Sequence, residues 1–304
     1  MSISKITSSS SSFKKITSKR SKKRGIPFML KIIRLGFKHL GPILPQLAGN
    51  IAFKLFASPK KIKSSRKPSA IMDEARTFNI VHQDRKIQCY AWGKQGPKVL
   101  LVHGWESKAA HMQNFVPPLV EMGYEVLAFD GPAHGKSEGK QTNLIDFSHT
   151  IETLALKVGG ITHIIAHSFG SGASGVALSE STSQLFVNKL VMITSPNKLQ
   201  DIFNDFYRIV RMPAIVQNHF EILIERIVNK PIEHFEMASR LKYARTNEIM
   251  LIHDENDTVI PIDFSKRIVA LNPRIKFWAT QGKGHYKIIK DREVIEQVVE
   301  FLES

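Results

Sequence analysis

Residues Ile164-Ile165-Ala166-His167-Ser168-Phe169-Gly170 carry an apolar run into a serine flanked by small residues. A second small-residue stretch, Ser171-Gly172-Ala173-Ser174-Gly175, follows at once. A serine on a sharp strand-to-helix turn can act as a nucleophile. The turn lifts Oγ clear of the backbone, and the positive end of the next helix faces the group under attack. Small residues two before and two after the serine let the chain fold that tightly. The usual pattern is G-x-S-x-G, and here Ala166 holds its first position. A plain strand–turn–helix junction without chemistry is the other reading of these residues.

Two further segments sit upstream at the ends of apolar runs. Val102-His103-Gly104-Trp105 follows one, and Phe129-Asp130-Gly131-Pro132-Ala133-His134-Gly135-Lys136-Ser137 follows the next. Together with the serine turn, these motifs resemble the α/β-hydrolase fold family and its lipase/esterase-like serine hydrolases. The resemblance spans roughly residues 75–304 and leaves residues 1–70 outside it. Ala166 departs from the family pattern, as does Ala133, which replaces the first Gly of D-x-x-G-H-G-x-S. The resemblance implies a Ser-Asp-His order for the catalytic residues. Ser168 would be the nucleophile and Asp257, just before Val259-Ile260-Pro261, the acid. His285, in the turn Gly282-Lys283-Gly284-His285-Tyr286, would be the base. Backbone N–H groups of Trp105 and Phe169 would form the oxyanion hole. Asp254 stands where the family usually has Gly, and it reads with Glu255 as an acidic turn capping the helix after Pro261. His103, His134, His167 and His253 read as hydrogen-bonded scaffolding.

These positions need a frame that delivers each of them to a strand end. From about Arg76 the chain alternates strand and helix signals, which argues for an α/β fold: a mostly parallel twisted sheet with helices on both faces. Thr77–Val81 and Lys86–Trp92 read as an antiparallel opening pair. Buried strands are expected at Val99–Val102, Glu125–Phe129, His163–Ala166, Leu190–Thr194, Ile249–Ile252 and Arg274–Thr280. The expected helices are Met112–Met122, Leu144–Val158, Ser171–Ser179, Asp263–Leu271 and Arg292–Leu302. Residues 196–246 depart from the alternation. They are rich in large apolar residues, broken by Pro213 and Pro231, and read as a small helical cap.

The division expected is a disordered basic tail over 1–27, a basic amphipathic helical segment over 28–72, and the hydrolase domain over 73–304. Residues 1–72 hold seventeen Lys or Arg and no carboxylate, whereas the rest is nearly neutral, so the net charge of +16 belongs to one end. Lys31, Arg34 and Lys38 fall on one face of a helix whose opposite face is apolar. Such a segment fits an anionic membrane surface, and equally a helix packed on the hydrolase body. A mitochondrial-type presequence is compatible as well. No aromatic residue beyond Phe13 interleaves with the basic run, so no specific nucleic-acid partner is expected. One cysteine, Cys89, excludes an intramolecular disulfide and reads as a buried thiol. No metal and no cofactor are expected, because the histidines are scattered and no phosphate-binding loop is present. The localisation expected is cytoplasmic, with peripheral attachment to a membrane as the variant.

The expected activity is cleavage of a carboxylic ester with an apolar acyl or alkyl group, through a Ser-His-Asp triad and an acyl-enzyme. Thioesterase, peptidase and acyltransferase chemistry share that triad. A non-catalytic binding protein of the same fold is the alternative from another class.

Overall fold

The computed structural model describes residues 27–61 and 69–304. The basic tail expected over 1–27 lies, apart from Pro27, outside the described residues, as do residues 62–68 of the segment expected over 28–72. Eight strands form one sheet: β1 (Arg76–His82), β2 (Arg85–Trp92), β3 (Lys98–Val102), β4 (Glu125–Phe129), β5 (His163–His167), β6 (Val187–Ile193), β7 (Thr246–Asp254) and β8 (Lys276–Thr280). Their order is β1-β2-β4-β3-β5-β6-β7-β8. Only β2 runs against its neighbours; all pairs from β4 to β8 are parallel. The chain reverses its direction of travel across the sheet at β3, because β4 lies on one side of it and β5 on the other. Loops leaving the ends of β3 and β5 part there, which opens the crevice where such sheets bind ligands.

Eight helices of nine residues or more are found among the described residues. They are α1 (Phe28–His39), α2 (Pro45–Ala57), α3 (Leu144–Lys157), α4 (Phe169–Glu180), α5 (Leu199–Val210), α6 (Ala214–Val228), α7 (Asp263–Leu271) and α8 (Arg292–Glu303). Alternate residues of the central strands feed two cores. Leu100, Val102, Ile164 and Ala166 pack with α3 and α4, while Val99, Leu101 and Ile165 pack on the other face with α8. Both faces are therefore apolar, which is why these strands read as unbroken hydrophobic runs. Cys89 is wholly buried on β2, and burial pushes its thiol up to about 12, so it stays protonated and unreactive.

The helix expected over Met112–Met122 divides in two. Ala109–Phe115 is a 3-10 turn, and an α-helical turn starts afresh at Val116–Glu121. Pro117 and Pro118 have no N–H to donate, so they fit the first positions of a helix and not its interior. The segment between β6 and β7 is helical, with α5 and α6 separated at Pro213 and short turns following Pro231. A third core joins α5 and α6 to α1 and α2 through Phe37, Ala48, Ala52, Phe203, Phe220 and Ile224. Small residues on α2 allow close contact with α6: a Cβ at Gly49 would lie 3.1 Å from His219 Cβ. Arg34 of α1 adds a hydrogen bond from Nε to the Ile209 carbonyl (2.8 Å). The N-terminal helices are thus packed on the body of the protein.

Asp146 ties the β1–β2 hairpin to the start of α3. Its carboxylate accepts from Arg85 Nη1 (3.0 Å), His82 Nε2 (3.1 Å) and Thr142 Oγ1 (2.8 Å). Burial alone would raise its pKa, but these donors outweigh it and hold the group at about 2, against an ordinary 3.8. A depressed carboxylate stabilises the fold above the ordinary value, and the contribution disappears as pH falls from about 4 to about 2. Asp146→Asn is expected to lower stability at neutral pH by about 2 kcal/mol and to flatten the acid limb. Urea unfolding across that pH range measures both effects.

Candidate active site

Ser168 ends β5 and begins the turn into α4 with φ 56° and ψ −123°. A non-glycine residue reaches this region only when its surroundings hold it there. Here the Ser168 N–H donates to the Ile193 carbonyl (2.9 Å), and its own carbonyl accepts from the Ser171 N–H (2.9 Å). Ser171 Oγ donates back to the Ala166 carbonyl (2.9 Å). Two glycines let the neighbouring chain approach. A Cβ at Gly170 would meet the His103 carbonyl oxygen at 2.5 Å, and one at Gly104 would meet Ser168 Cβ at 3.0 Å. Ala166 has no positive φ, so glycine is not required at that position. Ala133 differs: its φ of 65° is the left-handed region that glycine tolerates best, so this departure from the family pattern carries strain.

Asp257 and His285 meet directly. His285 Nδ1–H donates to Asp257 Oδ2 at 2.8 Å, with both groups buried. Asp257 Oδ1 accepts from the Val259 and Ile260 amides (2.7 and 2.9 Å), which fixes the carboxylate from its other side. Burial works to raise the Asp257 pKa, but the His285 bond and these amides prevail and hold it below the ordinary carboxylate value. With Nδ1 committed, Nε2 is the nitrogen left to take a proton. Ser168 and His285 share a cavity wall, yet among the described residues no hydrogen bond joins Ser168 Oγ to the imidazole. Such bonds are often long without substrate and shorten when it binds.

The four remaining motif histidines are structural. His103 Nδ1–H donates to the Gly104 carbonyl (2.7 Å), while Nε2 accepts from the Gly131 N–H (2.9 Å), which joins the loops after β3 and β4. His134 Nε2 accepts from the Glu106 N–H (3.1 Å), and Nδ1–H donates to the Pro132 carbonyl (2.9 Å). Trp105 is therefore held between two residues that neutral imidazoles fix. Burial lowers the pKa of both rings, which keeps the lone pair that each of these bonds requires. His167 Nε2–H donates to the His285 carbonyl (2.9 Å), and burial lowers its pKa to about 3. His253 spans Ser265 Oγ and the Ile260 carbonyl, steadying the loop that carries Asp257.

Asp254 does not cap α7. Its Oδ2 accepts from Thr280 Oγ1 (2.8 Å) and the Lys283 N–H (2.9 Å), and Oδ1 accepts from the Asn256 N–H (3.0 Å). The side chain is completely buried, and the donors overcome burial to keep its pKa below the ordinary value. Asp254 thus clamps the loop that presents His285 to the end of β7. Its partners lie nearly thirty residues downstream, and the only trace in the sequence is an acid where the family usually has Gly.

Ser168 stands between two cavities. One, of about 620 Å³, is mainly apolar and bounded by Phe53, Leu55 and Phe56 of α2 as well as Phe203, Phe206 and Ile224 of α5 and α6. The other, of about 430 Å³, contains His285 together with Ser107, His111, Tyr286 and Lys290. Trp105 and Ser168 border both. Among the described residues, the Trp105 and Phe169 amides have no protein acceptor outside their own helix or strand. The wall supplied by α2 carried no chemical motif and was invisible to motif reading.

Known proteins align with this arrangement. A model of the α/β hydrolase family matches residues 99–246. The chain is 24% identical over 267 residues to a 2-hydroxy-6-oxononadienedioate/2-hydroxy-6-oxononatrienedioate hydrolase of Cupriavidus pinatubonensis, covering 71% of this chain and 90% of that protein. It is 34% identical over 117 residues to a human serine hydrolase-like protein, spanning 36% of this chain and just over half (56%) of that relative. The Pyrococcus furiosus esterase Pf2001 superposes with a TM-score of 0.60 at 21% identity, over 81% of this chain and 98% of its own. A bacterial membrane phospholipase A does so with a TM-score of 0.59 at 15% identity, over 90% of this chain and 96% of its own. The fold is that of an α/β hydrolase. The match to the α/β hydrolase family covers just under half of the chain, and the superpositions extend the same fold over most of it.

Two substitutions test the local reading. Ala133→Gly relieves a left-handed alanine and should raise unfolding free energy by up to about 1 kcal/mol in urea. Asp254→Asn keeps one acceptor oxygen but weakens the clamp on the His285 loop. It should lower kcat by roughly 10- to 100-fold with little change in KM, as steady-state ester hydrolysis would show.

Proposed function

We propose that the protein is a serine esterase that cleaves carboxylic esters with an apolar acyl group. The observation that carries this reading is the position of Ser168. It sits on a strained turn, with an apolar cavity on one side and the His285–Asp257 pair on the other. His285 Nε2 takes the Ser168 proton as Oγ attacks the acyl carbon, and Asp257 stabilises the imidazolium. The Trp105 and Phe169 amides stabilise the tetrahedral oxyanion, each such donor contributing roughly 3 kcal/mol. Collapse breaks the bond to the alcohol oxygen, which leaves with the proton from His285. Water, deprotonated by the same imidazole, then attacks the acyl-enzyme, and the acid departs as Ser168 recovers its proton.

The apolar cavity suits the acyl chain and the smaller one the alcohol. A dioate substrate of the kind named for the Cupriavidus relative would bring two carboxylates into the site. The larger cavity offers Lys60 against Glu106, Asp201 and Asp205, a balance that disfavours a dianion and supports a neutral ester. Ser168→Ala should lower kcat for p-nitrophenyl esters by at least about 10⁴-fold while the fold, read by circular dichroism, is retained. Turnover that survives in that variant overturns the assignment. Activity should rise with acyl length until the 620 Å³ cavity is filled, and a preference for acetate would contradict its use as the acyl site.

A further inference from the structure

The α1–α2 layer leaves much of its apolar surface uncovered. Between residues 28 and 55, ten large apolar side chains are at least 40% exposed, with Phe28 at 77% and Ile43 at 72%. On α1, Leu30, Ile33 and Phe37 turn toward the cap helices, while Phe28, Ile32 and Leu35 point into solvent. Lys31 and Lys38 occupy a separate, exposed strip. On α2, Ala48 and Ala52 are buried, while Leu47, Ile51 and Leu55 form an exposed row at four-residue spacing. The apolar arc read as one face in the sequence is therefore two. One half is covered by protein and the other is not. An uncovered area of this kind marks an interaction surface.

The same face borders the candidate active site. Leu55 of α2, Ile209 of α5 and Ile227 of α6 are all at least 40% exposed, and all three also line the apolar cavity beside Ser168. The surface and the cavity are continuous. The charge is one-sided too: residues 1–72 hold no carboxylate, and Lys31, Lys38, Lys54, Lys60 and Lys61 are exposed on or beside the two helices. A second copy placed face to face would bring these cations together, whereas an anionic bilayer would neutralise them. Among the described residues no helix is long and apolar enough to cross a membrane.

We infer that α1 and α2 form a docking surface for an anionic lipid bilayer, and that the cavity mouth on this surface draws acyl chains of membrane lipids toward Ser168. The lipid-substrate half of this inference rests on the esterase reading; the docking half does not. The test is co-sedimentation of the full chain with phosphatidylcholine vesicles, with and without phosphatidylglycerol, at low salt. The wild-type chain should sediment with the anionic vesicles. A quadruple variant, Phe28→Ser, Ile32→Ser, Leu35→Ser and Leu47→Ser, alters only exposed side chains outside the cavity lining. It should partition at least about tenfold less, keep its turnover of a soluble short-chain ester, and lose hydrolysis of a vesicle-embedded ester. Ser168→Ala should bind vesicles like wild type, so failure of docking and failure of the esterase reading are told apart. Docking is overturned if wild type stays in solution, or if the quadruple variant sediments as wild type does. A dimer in light scattering that the same four substitutions dissociate also overturns it, because a second copy then covers the face.

Discussion

The backbone of Ser168 is the constraint around which the site is arranged. A serine at φ 56° is held against its own preference, at a cost of about 1–2 kcal/mol, and the structure around it supplies that energy. The parallel pairing of β5 with β3 and β6 delivers the serine to the sheet's crevice. Hydrogen bonds to Ile193 and Ser171 then leave the turn no other path. Gly104 and Gly170 allow the β3 loop and α4 to close on it from either side. A substitution at any of these positions acts on the serine's pose before it acts on anything else.

Around that turn, buried neutral imidazoles perform a mechanical task. His103 and His134 fasten the loops after β3 and β4 to each other through bonds that need an uncharged ring. His167 and His253 fasten strand ends to the loops beside them, and burial keeps all four rings uncharged. Asp257 and Asp254 do the complementary task with charge. Each gathers several N–H or O–H donors, which offset the cost of burying a carboxylate. Trp105, Asp257 and His285 come from loops far apart in the chain. They are brought to one place by hydrogen bonds, while the hydrophobic core beneath keeps the strand ends still.

Much of this frame was legible in the sequence, for physical reasons that differ by element. The central strands showed because burial on two faces leaves no polar residue to interrupt Val99–Val102 or Ile164–Ala166. The candidate site residues could be singled out because each ends or follows a strand, where residue type and chain order together narrow the choice. Asp254 was misread because its partners, Thr280 and Lys283, are close only in space. The strain at Ala133 does not show, because sequence reveals the residue and not its φ. The helix after the β3 loop was drawn too long, since the apolar spacing of Met112–Met122 masked the break that Pro117 and Pro118 impose. The N-terminal helices were recognised as amphipathic, but whether their apolar side meets protein or solvent depends on tertiary packing. The structure divides that side between the two.

One consequence is that the N-terminal segment belongs to the candidate site. Phe53, Leu55 and Phe56 wall the apolar cavity, so the segment outside the matched family region shapes the space beside the serine. The central claim remains the chemistry of Ser168. It is tested most directly by treating the full chain with a fluorophosphonate and locating the adduct by mass spectrometry. The account predicts a single phosphonylated site on Ser168. No adduct, or an adduct on any other residue, would contradict it.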